Sequence, residues 1–283
     1  MPSHSPFADR SNVLIAAATR QRLTGEATGW QMPNRFSPSA LTRFRVCNRQ
    51  FQLIDLERVE APEQPSPLFA QGNAIHAALD YFFGLPPKQR TPAVETLQSA
   101  LRERWRRNWD REALPDRDLE IEFGQKGLRL LAGFAGHFDT TIQPVARERW
   151  VEVTLPNGIE LFGRVDRIDP FEDGLSIVDY KSGRRNLDDD DLRDEPAAQV
   201  YLLATHAIFR LPVYRIRFCY LESQDEISWW PEQEDIPALT EKLTNLTDAI
   251  RAATDFPAAP GDHCRWCPVA RHCNERKTTS PAI

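Results

Sequence analysis

The stretch "GRVDRIDPFEDGLSIVDYKSG", from Gly163 to Gly183, constrains the fold more than any other part of this chain. Its alternating apolar and β-branched residues predict two strands, and Pro170 to Gly174 supplies the turn between them. Asp166, Asp179 and Lys181 nevertheless lie in or at the ends of these strands, where an isolated charge is costly. The cost of placing these three groups in a sheet suggests that they serve a common function.

Two carboxylates that converge beside a lysine predict a site for a hard divalent cation. Mg²⁺ takes oxygen ligands and typically combines one or two protein carboxylates with water and substrate phosphate. Such a cation can polarise a phosphodiester and activate a bound water. Asp179 and Lys181 are two residues apart on a strand and point to the same face, where Lys181 can orient that water. The alternative is a structural hairpin with an exposed Asp166 and an Asp179–Lys181 ion pair at the strand end.

Helical patterns lie on both sides of this hairpin. Ser37 is placed to cap a first helix that begins at Pro38, and "SPLFAQGNAIHAALDYFFG" predicts a second helix that ends at Gly84. Two long polar helices follow, at about 92–113 and 118–143. Strand patterns then appear in "RWVEVTLP", the hairpin, "VYRIRFCYLE" and "EISWWPE", with helices at "EPAAQVYLLATHAIFR" and "IPALTEKLTNLTDAIRAAT". This order predicts an α/β fold with a helical N-terminal flank.

Three residues outside the hairpin are candidates for the same site. His76 shares a helix face with Gly72, whose missing side chain allows close approach, although a histidine in such a helix is more often a core residue. Gln199 lies near the start of the helix after the hairpin and is equally ordinary as a surface residue. Glu152, on the strand before the hairpin, is the weakest of the three. None of them decides the function by itself.

The ordered set of these residues resembles a known family. Its motifs occur in the order and approximate spacing of those in the RecB-like branch of the PD-(D/E)XK nucleases. They are Gly72-x3-His76, Gly163-x2-Asp166, Asp179-Tyr180-Lys181-Ser182-Gly183 and Gln199. The resemblance implies a restriction-endonuclease-like core, in which a central mixed sheet is flanked by helices. It also implies that Mg²⁺ or Mn²⁺ is ligated by His76, Asp166, Asp179 and the backbone carbonyl of Tyr180. Lys181 would be the catalytic lysine and Gln199 a helper.

One element departs from the family pattern. The family usually has a tyrosine four residues after the glutamine, where this chain has Leu203. The nearby tyrosine is Tyr201, and a residue two positions along a helix lies on a different face. The contribution of the tyrosine is therefore the part of the resemblance that this chain puts in question.

The cysteines predict a second metal centre. Cys264, Cys267 and Cys273 form a C-x2-C-x5-C pattern with the spacing of metal ligands. A fourth thiolate has two candidates, and Cys47 is the better one because Cys219 alternates as a buried strand residue. The alternative is Zn²⁺ held by the three C-terminal cysteines with His263 or His272, which leaves Cys47 free. Disulfides do not suit an odd cysteine count in a chain that we expect to be cytoplasmic.

The cysteine pattern also resembles the iron–sulfur subset of the RecB-like nucleases. In that subset, which includes AddB-type subunits and the nucleases of CRISPR adaptation, one cysteine precedes the nuclease motifs and three follow them. The resemblance implies a [4Fe–4S] cluster on Cys47, Cys264, Cys267 and Cys273, which acts as a clasp that joins the N- and C-terminal segments. We therefore expect a flexible arm over residues 1–35 and a single nuclease domain over 36–283, with cluster-binding segments around 47 and 260–276.

The formal net charge of −6 argues against a chain that coats nucleic acid through bulk electrostatics, so a DNA strand needs a local groove. "RERWRRNWDRE" places Trp105 and Trp109 on one helix face among arginines, as in single-strand binding, although tryptophans that pack inward are the commoner arrangement. Arg43, Arg45 and Arg49 surround Cys47 and are candidates to line a channel to the metal.

Taken together, these residues predict a metal-dependent DNA nuclease. The resemblance favours an exonuclease that acts on single-stranded or frayed DNA ends in repair, recombination or defence. The chain contains no Walker A loop, so unwinding would require a helicase partner. Two alternatives stay open: a non-catalytic iron–sulfur subunit that binds DNA or a helicase, and a nuclease of CRISPR spacer acquisition. No apolar run approaches the roughly 20 residues of a membrane helix, so we expect a cytoplasmic protein with no membrane partner.

Overall fold

The computed structural model describes residues 31–59, 67–107, 114, 116–185 and 187–275. Within these ranges the predicted hairpin forms the middle of a mixed six-stranded sheet, in which β3 (Glu160–Phe171) turns back into the antiparallel β4 (Gly174–Lys181). The remaining strands are β1 (Arg35–Phe36), β2 (Ala146–Thr154), β5 (Val213–Tyr220) and β6 (Asp225–Trp229). Helices flank this sheet, and the predicted α/β fold with a central mixed sheet is confirmed.

The helices precede, interrupt and follow the sheet. They are α1 (Pro38–Val46), α2 (Asn48–Phe51), α3 (Pro67–Gly84), α4 (Ala93–Arg107), α5 (Arg117–His137), α6 (Asp189–Leu192), α7 (Pro196–Phe209) and α8 (Asp235–Ala252). The helical flank consists of α3, α4 and α5, whose apolar cluster includes Val178 and Tyr180 of β4. In the described ranges, no helix combines the length and the apolar character that crossing a bilayer requires.

The sheet has the order β1-β3-β4-β5-β6, and β2 pairs with β3 outside this path. β4 and β5 are parallel, and the chain between them passes through α7, which contacts β2, β3 and β5. Every residue of β4 except Lys181 is buried, as a strand covered on both faces requires. The end of β4 at Lys181 is therefore the place where this central strand opens to solvent.

The first helix begins as the sequence predicts, and it ends at Val46. The hydroxyl of Ser37 accepts a hydrogen bond from the Ala40 N–H at 3.3 Å, and Pro38 takes the first helical position. The backbone of Cys47 is extended, with φ −160° and ψ 107°, which divides α1 from α2, and a π-helical turn over Gln52–Leu56 follows. This break turns the Cys47 sulfur toward the C-terminal segment, where it accepts a hydrogen bond from the Ala259 N–H at 3.5 Å.

One other boundary differs from the sequence prediction. The helix expected to reach about residue 143 ends at His137, because the next segment is extended and its carbonyls at Thr140 and Ile142 accept hydrogen bonds from the buried Arg90. The N-terminal arm predicted for residues 1–35 lies outside the described residues except for its last few positions. That arm and the single domain over 36–283 stay predictions.

Candidate active site

A cleft between α3 and α7 brings most of the predicted catalytic residues together. Its lining includes His76 of α3, Asp166 of β3, and Asp179, Tyr180 and Lys181 at the end of β4. Gly72 lines the same cleft one helical turn before His76, and a Cβ added there would meet the Ser182 hydroxyl at 3.5 Å, an ordinary contact. The hairpin thus ends in a cleft, and Asp166, Asp179 and Lys181 face that cleft.

His76 and Asp166 are held in direct contact. The Nδ1 atom of His76 lies 3.1 Å from Oδ1 of Asp166, and the other oxygen, Oδ2, accepts a hydrogen bond from the Tyr180 N–H at 2.7 Å. Burial lowers the pKa of His76, but the hydrogen bond and the charge of Asp166 outweigh it, so the pKa lies above its ordinary value. The structure thus brings His76 of the helix and Asp166 of the hairpin together, as the sequence predicts.

Asp179 and Lys181 form an ion pair at the end of β4. The Nζ atom of Lys181 lies 2.6 Å from Oδ2 of the buried Asp179 and 4.2 Å from the ring centroid of Phe218. Burial lowers the pKa of Lys181, but the adjacent Asp179 carboxylate outweighs this effect and the pKa is raised. Lys181 is therefore a charged ammonium that points into the cleft.

Glu148 of β2 belongs to this site, and the sequence interpretation missed it. One donor atom each from His76, Glu148 and Asp166 lie within 4.8 Å of one another. The antiparallel register, which pairs Arg147 with Arg167 and Arg149 with Val165, puts Glu148 opposite Asp166 at a position where the pairing is interrupted. Burial, followed by the charge of Asp166, raises the pKa of Glu148.

A signal for Glu148 exists in the sequence. The turn "PNG" between β2 and β3 centres the hairpin on Asn157, and Gly158 takes the positive φ of 81° that such loops require. Counting outward from Asn157 pairs Glu148 with Asp166, whereas Glu152 pairs with Phe162. The weak candidate Glu152 has a side chain that is 65% exposed, and it does not line the cleft.

A buried ion-pair network supports the hairpin from its other face. Arg167 follows Asp166 on β3 and therefore points the opposite way, where its guanidinium contacts Asp169 at 2.9 Å. Its Nη1 donates to the Tyr180 hydroxyl at 2.9 Å, and Arg217 reaches the same Asp169 oxygen at 2.8 Å. The side chain of Tyr180 is thus fixed on one face while its backbone N–H holds Asp166 on the other.

Helix α7 presents a different face to the cleft from the one we expected. Ala197 and Tyr201, four residues apart, line the cleft, whereas Gln199 is buried and donates a hydrogen bond to the Arg193 carbonyl at 2.7 Å. The structure therefore does not bring the predicted helper Gln199 to the site. Burial, and then the charges of Asp179 and Asp166, raise the pKa of Tyr201, so its hydroxyl stays protonated.

The residues predicted to bind a strand are dispersed. Arg43 lines the cleft, where its guanidinium makes two hydrogen bonds to Asp55, at 2.6 and 2.7 Å. Arg45 donates to the Asp194 carbonyl, and Arg49 lies beside the cysteine cavity. Trp105 packs against the apolar cluster of α3–α5, as the alternative foresaw, and Trp109 lies outside the described residues.

Four cysteines line one small cavity: Cys47, Cys264, Cys267 and Cys273. Burial raises the pKa of Cys267, and the charges of Cys47, Cys264 and Cys273 raise it further. Backbone N–H groups of Ala259 and Gly261 point at sulfurs of the set, at 3.5 and 3.4 Å. Cys219 lies elsewhere, buried on β5, and burial raises the pKa of its thiol to about 12.

The zinc alternative has one of its two candidate histidines at this cavity. Cys47, which that alternative leaves free, lines the cavity with the other three cysteines. His263 also lines the cavity, with Nε2 3.9 Å from the Cys264 sulfur. Nε2 of His272 instead accepts a hydrogen bond from Arg271 at 2.9 Å.

Comparison with known proteins gives one family. A sequence model described as the PD-(D/E)XK nuclease superfamily matches residues 35–274. A solved structure described as "Crystal structure of SSO0001" is similar with a TM-score of 0.39 and 12% sequence identity, over 87% of this chain and 89% of that chain. Among curated proteins, the chain matches none.

Proposed function

The chain belongs to the PD-(D/E)XK nuclease superfamily, and on this premise we propose that it is a metal-dependent exonuclease that hydrolyses single-stranded or frayed DNA ends. We include in the proposal its placement in the RecB-like, iron–sulfur-containing branch, which rests on the order of the nuclease motifs and on the cysteine spacing. A role in DNA repair, recombination or defence follows from the same resemblance.

The observation that carries the proposal is the group formed by His76, Glu148 and Asp166, whose donor atoms lie within 4.8 Å of one another. Two carboxylates directly across an antiparallel pair destabilise each other, and a bound cation reverses that repulsion. Oxygen donors suit Mg²⁺ or Mn²⁺. Oδ2 of the buried Asp179, which lies 2.6 Å from the Lys181 ammonium, adds a further oxygen in the same cleft. This donor set fits a divalent cation.

The residues of the cleft have separate tasks in the proposed reaction. A divalent cation held by His76, Glu148, Asp166 and Asp179, with the Tyr180 carbonyl as a further ligand, supplies Lewis-acid polarisation of the phosphodiester. The ammonium of Lys181 offsets the negative charge that develops on the phosphate. Because the Tyr201 hydroxyl stays protonated, it is available as a hydrogen-bond donor to the strand.

We propose a [4Fe–4S] cluster in the cysteine cavity. The proposal is supported by the four cysteines that line one cavity and by the Ala259 and Gly261 N–H groups, which point at the sulfurs of Cys47 and Cys264. Hydrogen bonds to the sulfurs are among the features that tune such clusters. Such a cluster would join Cys47 to the segment that begins at Cys264 and stabilise the fold across the chain.

The test is a cleavage assay on protein purified without oxygen, with end-labelled single-stranded and duplex DNA in Mg²⁺, Mn²⁺ or EDTA. We expect metal-dependent degradation, a product ladder that starts at one end, and brown protein that contains four irons per chain. Glu148→Gln should abolish cleavage, and Glu152→Gln, which changes an exposed acid farther along the same strand, should not. Absence of cleavage by brown, folded wild-type protein would favour the non-catalytic subunit instead.

A further inference from the structure

The wall of the cleft continues outward from the metal donors along β2 and β3. Glu148 lies opposite Asp166, the next rung on the same face pairs Trp150 with Arg164, and the rung after that contains Phe162. Two residues of an antiparallel strand span about 6.8 Å, which is about two nucleotide steps of 3.4 Å along a stacked strand. The rung at Trp150 therefore lies where the first or second nucleotide beside the scissile phosphate would pass.

The aromatic side chains on these rungs form an open stack. The rings of Trp150 and Phe162 are 6.2 Å apart between centroids and inclined by 26°, and the Arg35 guanidinium covers Phe162 at 4.3 Å. Trp150, at the free end of the stack, is 62% exposed although it lines the cleft. An exposed indole at the mouth of a polar cleft, backed by a second ring, offers a flat surface of the kind on which bases stack.

A cation lies beside this surface. The Arg164 side chain, which is opposite Trp150, is 53% exposed, and its Nε lies 2.8 Å from the Glu148 carboxylate. It therefore stands between the metal donors and the aromatic stack, where a phosphate of the strand would pass. Aromatic rings that alternate with arginine are the combination that binds single strands without reading their sequence.

We propose that Trp150 is a stacking platform for an unpaired base of the DNA strand, next to the phosphate that is cleaved, with Arg164 binding the adjacent phosphate. This inference rests on the proposed nuclease function and gives it a specific requirement, because a duplex end must fray before a base can reach the indole. Trp105, one of the two tryptophans predicted to bind a strand, packs against the apolar cluster of α3–α5 instead. It explains why a tryptophan is exposed within a cleft that otherwise serves metal binding.

The chain offers a matched control in Trp230. This residue is 54% exposed, its ring centroid lies 5.7 Å from that of Phe171, and the Arg215 guanidinium lies 4.8 Å from it. It resembles Trp150 in exposure and neighbours. However, it follows β6 at the far edge of the sheet and does not line the cleft.

The experiment measures the binding of two fluorescent 12-nucleotide DNA strands to Lys181→Ala protein in EDTA. One strand carries all its bases, and the other is abasic throughout. We expect Trp150→Ala to weaken binding of the base-containing strand by about tenfold to a hundredfold, the contribution of one stacked base, and to leave the abasic strand unchanged. Trp150→Phe should restore most of the affinity, and Trp230→Ala should leave both strands unaffected.

Equal losses on both strands, or no loss on either, would overturn the platform. A parallel cleavage assay of the wild-type protein separates this result from failure of the proposed function. If the wild type cleaves DNA and Trp150→Ala does not weaken binding of the base-containing strand to the Lys181→Ala protein, the platform alone is wrong. If the wild type neither cleaves nor binds the base-containing strand, both the nuclease proposal and the platform are wrong.

Discussion

Glu148→Gln should change the stability of the protein in opposite directions with and without a divalent cation. In the metal-free protein the pKa of Glu148 is raised, first by burial and then by Asp166, so its ionised form destabilises the fold at neutral pH. Glutamine removes that charge. We expect the metal-free variant to be more stable than the wild type by about 0.2–1 kcal/mol, the general magnitude of a single cross-strand side-chain interaction.

With a divalent cation present, Glu148→Gln should instead be less stable than the wild type. A ligand at 100 times its Kd stabilises the fold by about 2.7 kcal/mol. Loss of a group that merely supports a metal ligand lowers affinity about 10- to 100-fold, so we take a hundredfold for Glu148 itself. The same metal concentration then equals the Kd of the variant and contributes only about 0.4 kcal/mol. The difference of about 2.3 kcal/mol exceeds the gain of the metal-free variant.

The assay is thermal unfolding in EDTA and in Mn²⁺ for the wild type, Glu148→Gln and Glu152→Gln. At about 2–4 °C per kcal/mol for a chain of this size, Mn²⁺ should raise the wild-type Tm by roughly 5–10 °C and that of Glu148→Gln by about 1 °C. Glu152→Gln should follow the wild type. Equal Mn²⁺ shifts in all three proteins would refute the inclusion of Glu148 among the ligands.

Further predictions concern the glycines and the cysteines. Gly163→Ala should lower both stability and cleavage, because its Cβ would lie 2.7 Å from the Tyr201 ring. Gly72→Ala should fold normally and gain up to about 1 kcal/mol of stability, because alanine has the higher helix propensity. Thermal unfolding of the two variants, followed by circular dichroism, tests this contrast, and equal Tm values would contradict it. Cys264→Ser should lose iron, solubility and activity together. The reason is that the cluster joins Cys47 to Cys264, and closing a loop of that length in the unfolded chain stabilises the fold by about 5 kcal/mol. Cys219→Ala should keep its iron, and a soluble, active, colourless Cys264→Ser would exclude the clasp. In the native protein, iodoacetamide at pH 8 should leave Cys219 unlabelled, because its pKa is raised to about 12; a labelled Cys219-containing peptide would contradict its burial.

Local patterns predicted the elements of the sheet and the residues that the hairpin carries. The alternation in "GRVDRID" and "GLSIVDYK" reports directly on strands, and a turn rich in Pro, Asp and Gly connects them. The contact of His76 with Asp166 was foreseen only through the resemblance, since periodicity places a histidine on a helix face but not against a particular strand. The sheet register then determined which acid completed the site.

The features that were missed depend on tertiary geometry. Glu148 and Glu152 are equivalent by period, and only the register set by the Asn157 turn distinguishes them. Gln199 was assigned by motif spacing, but the first ten residues of α7, from Pro196 to Thr205, are all buried, so the sequence pattern does not reveal which face meets the cleft. Likewise, Cys47 interrupts a helical pattern that reads as continuous, because its backbone is extended where α1 ends beside the C-terminal segment.

The central claim, that the cleft hydrolyses DNA with a bound cation, is tested most directly by single-turnover cleavage of an end-labelled single strand in Mn²⁺. The comparison uses the wild type, Lys181→Ala and Lys242→Ala, a surface lysine whose Nζ lies 2.6 Å from Asp194. The account predicts that the wild type and Lys242→Ala cleave at the same rate, that EDTA stops both, and that Lys181→Ala loses cleavage while it still binds the strand. Cleavage that persists in Lys181→Ala, or that proceeds in EDTA, would contradict it.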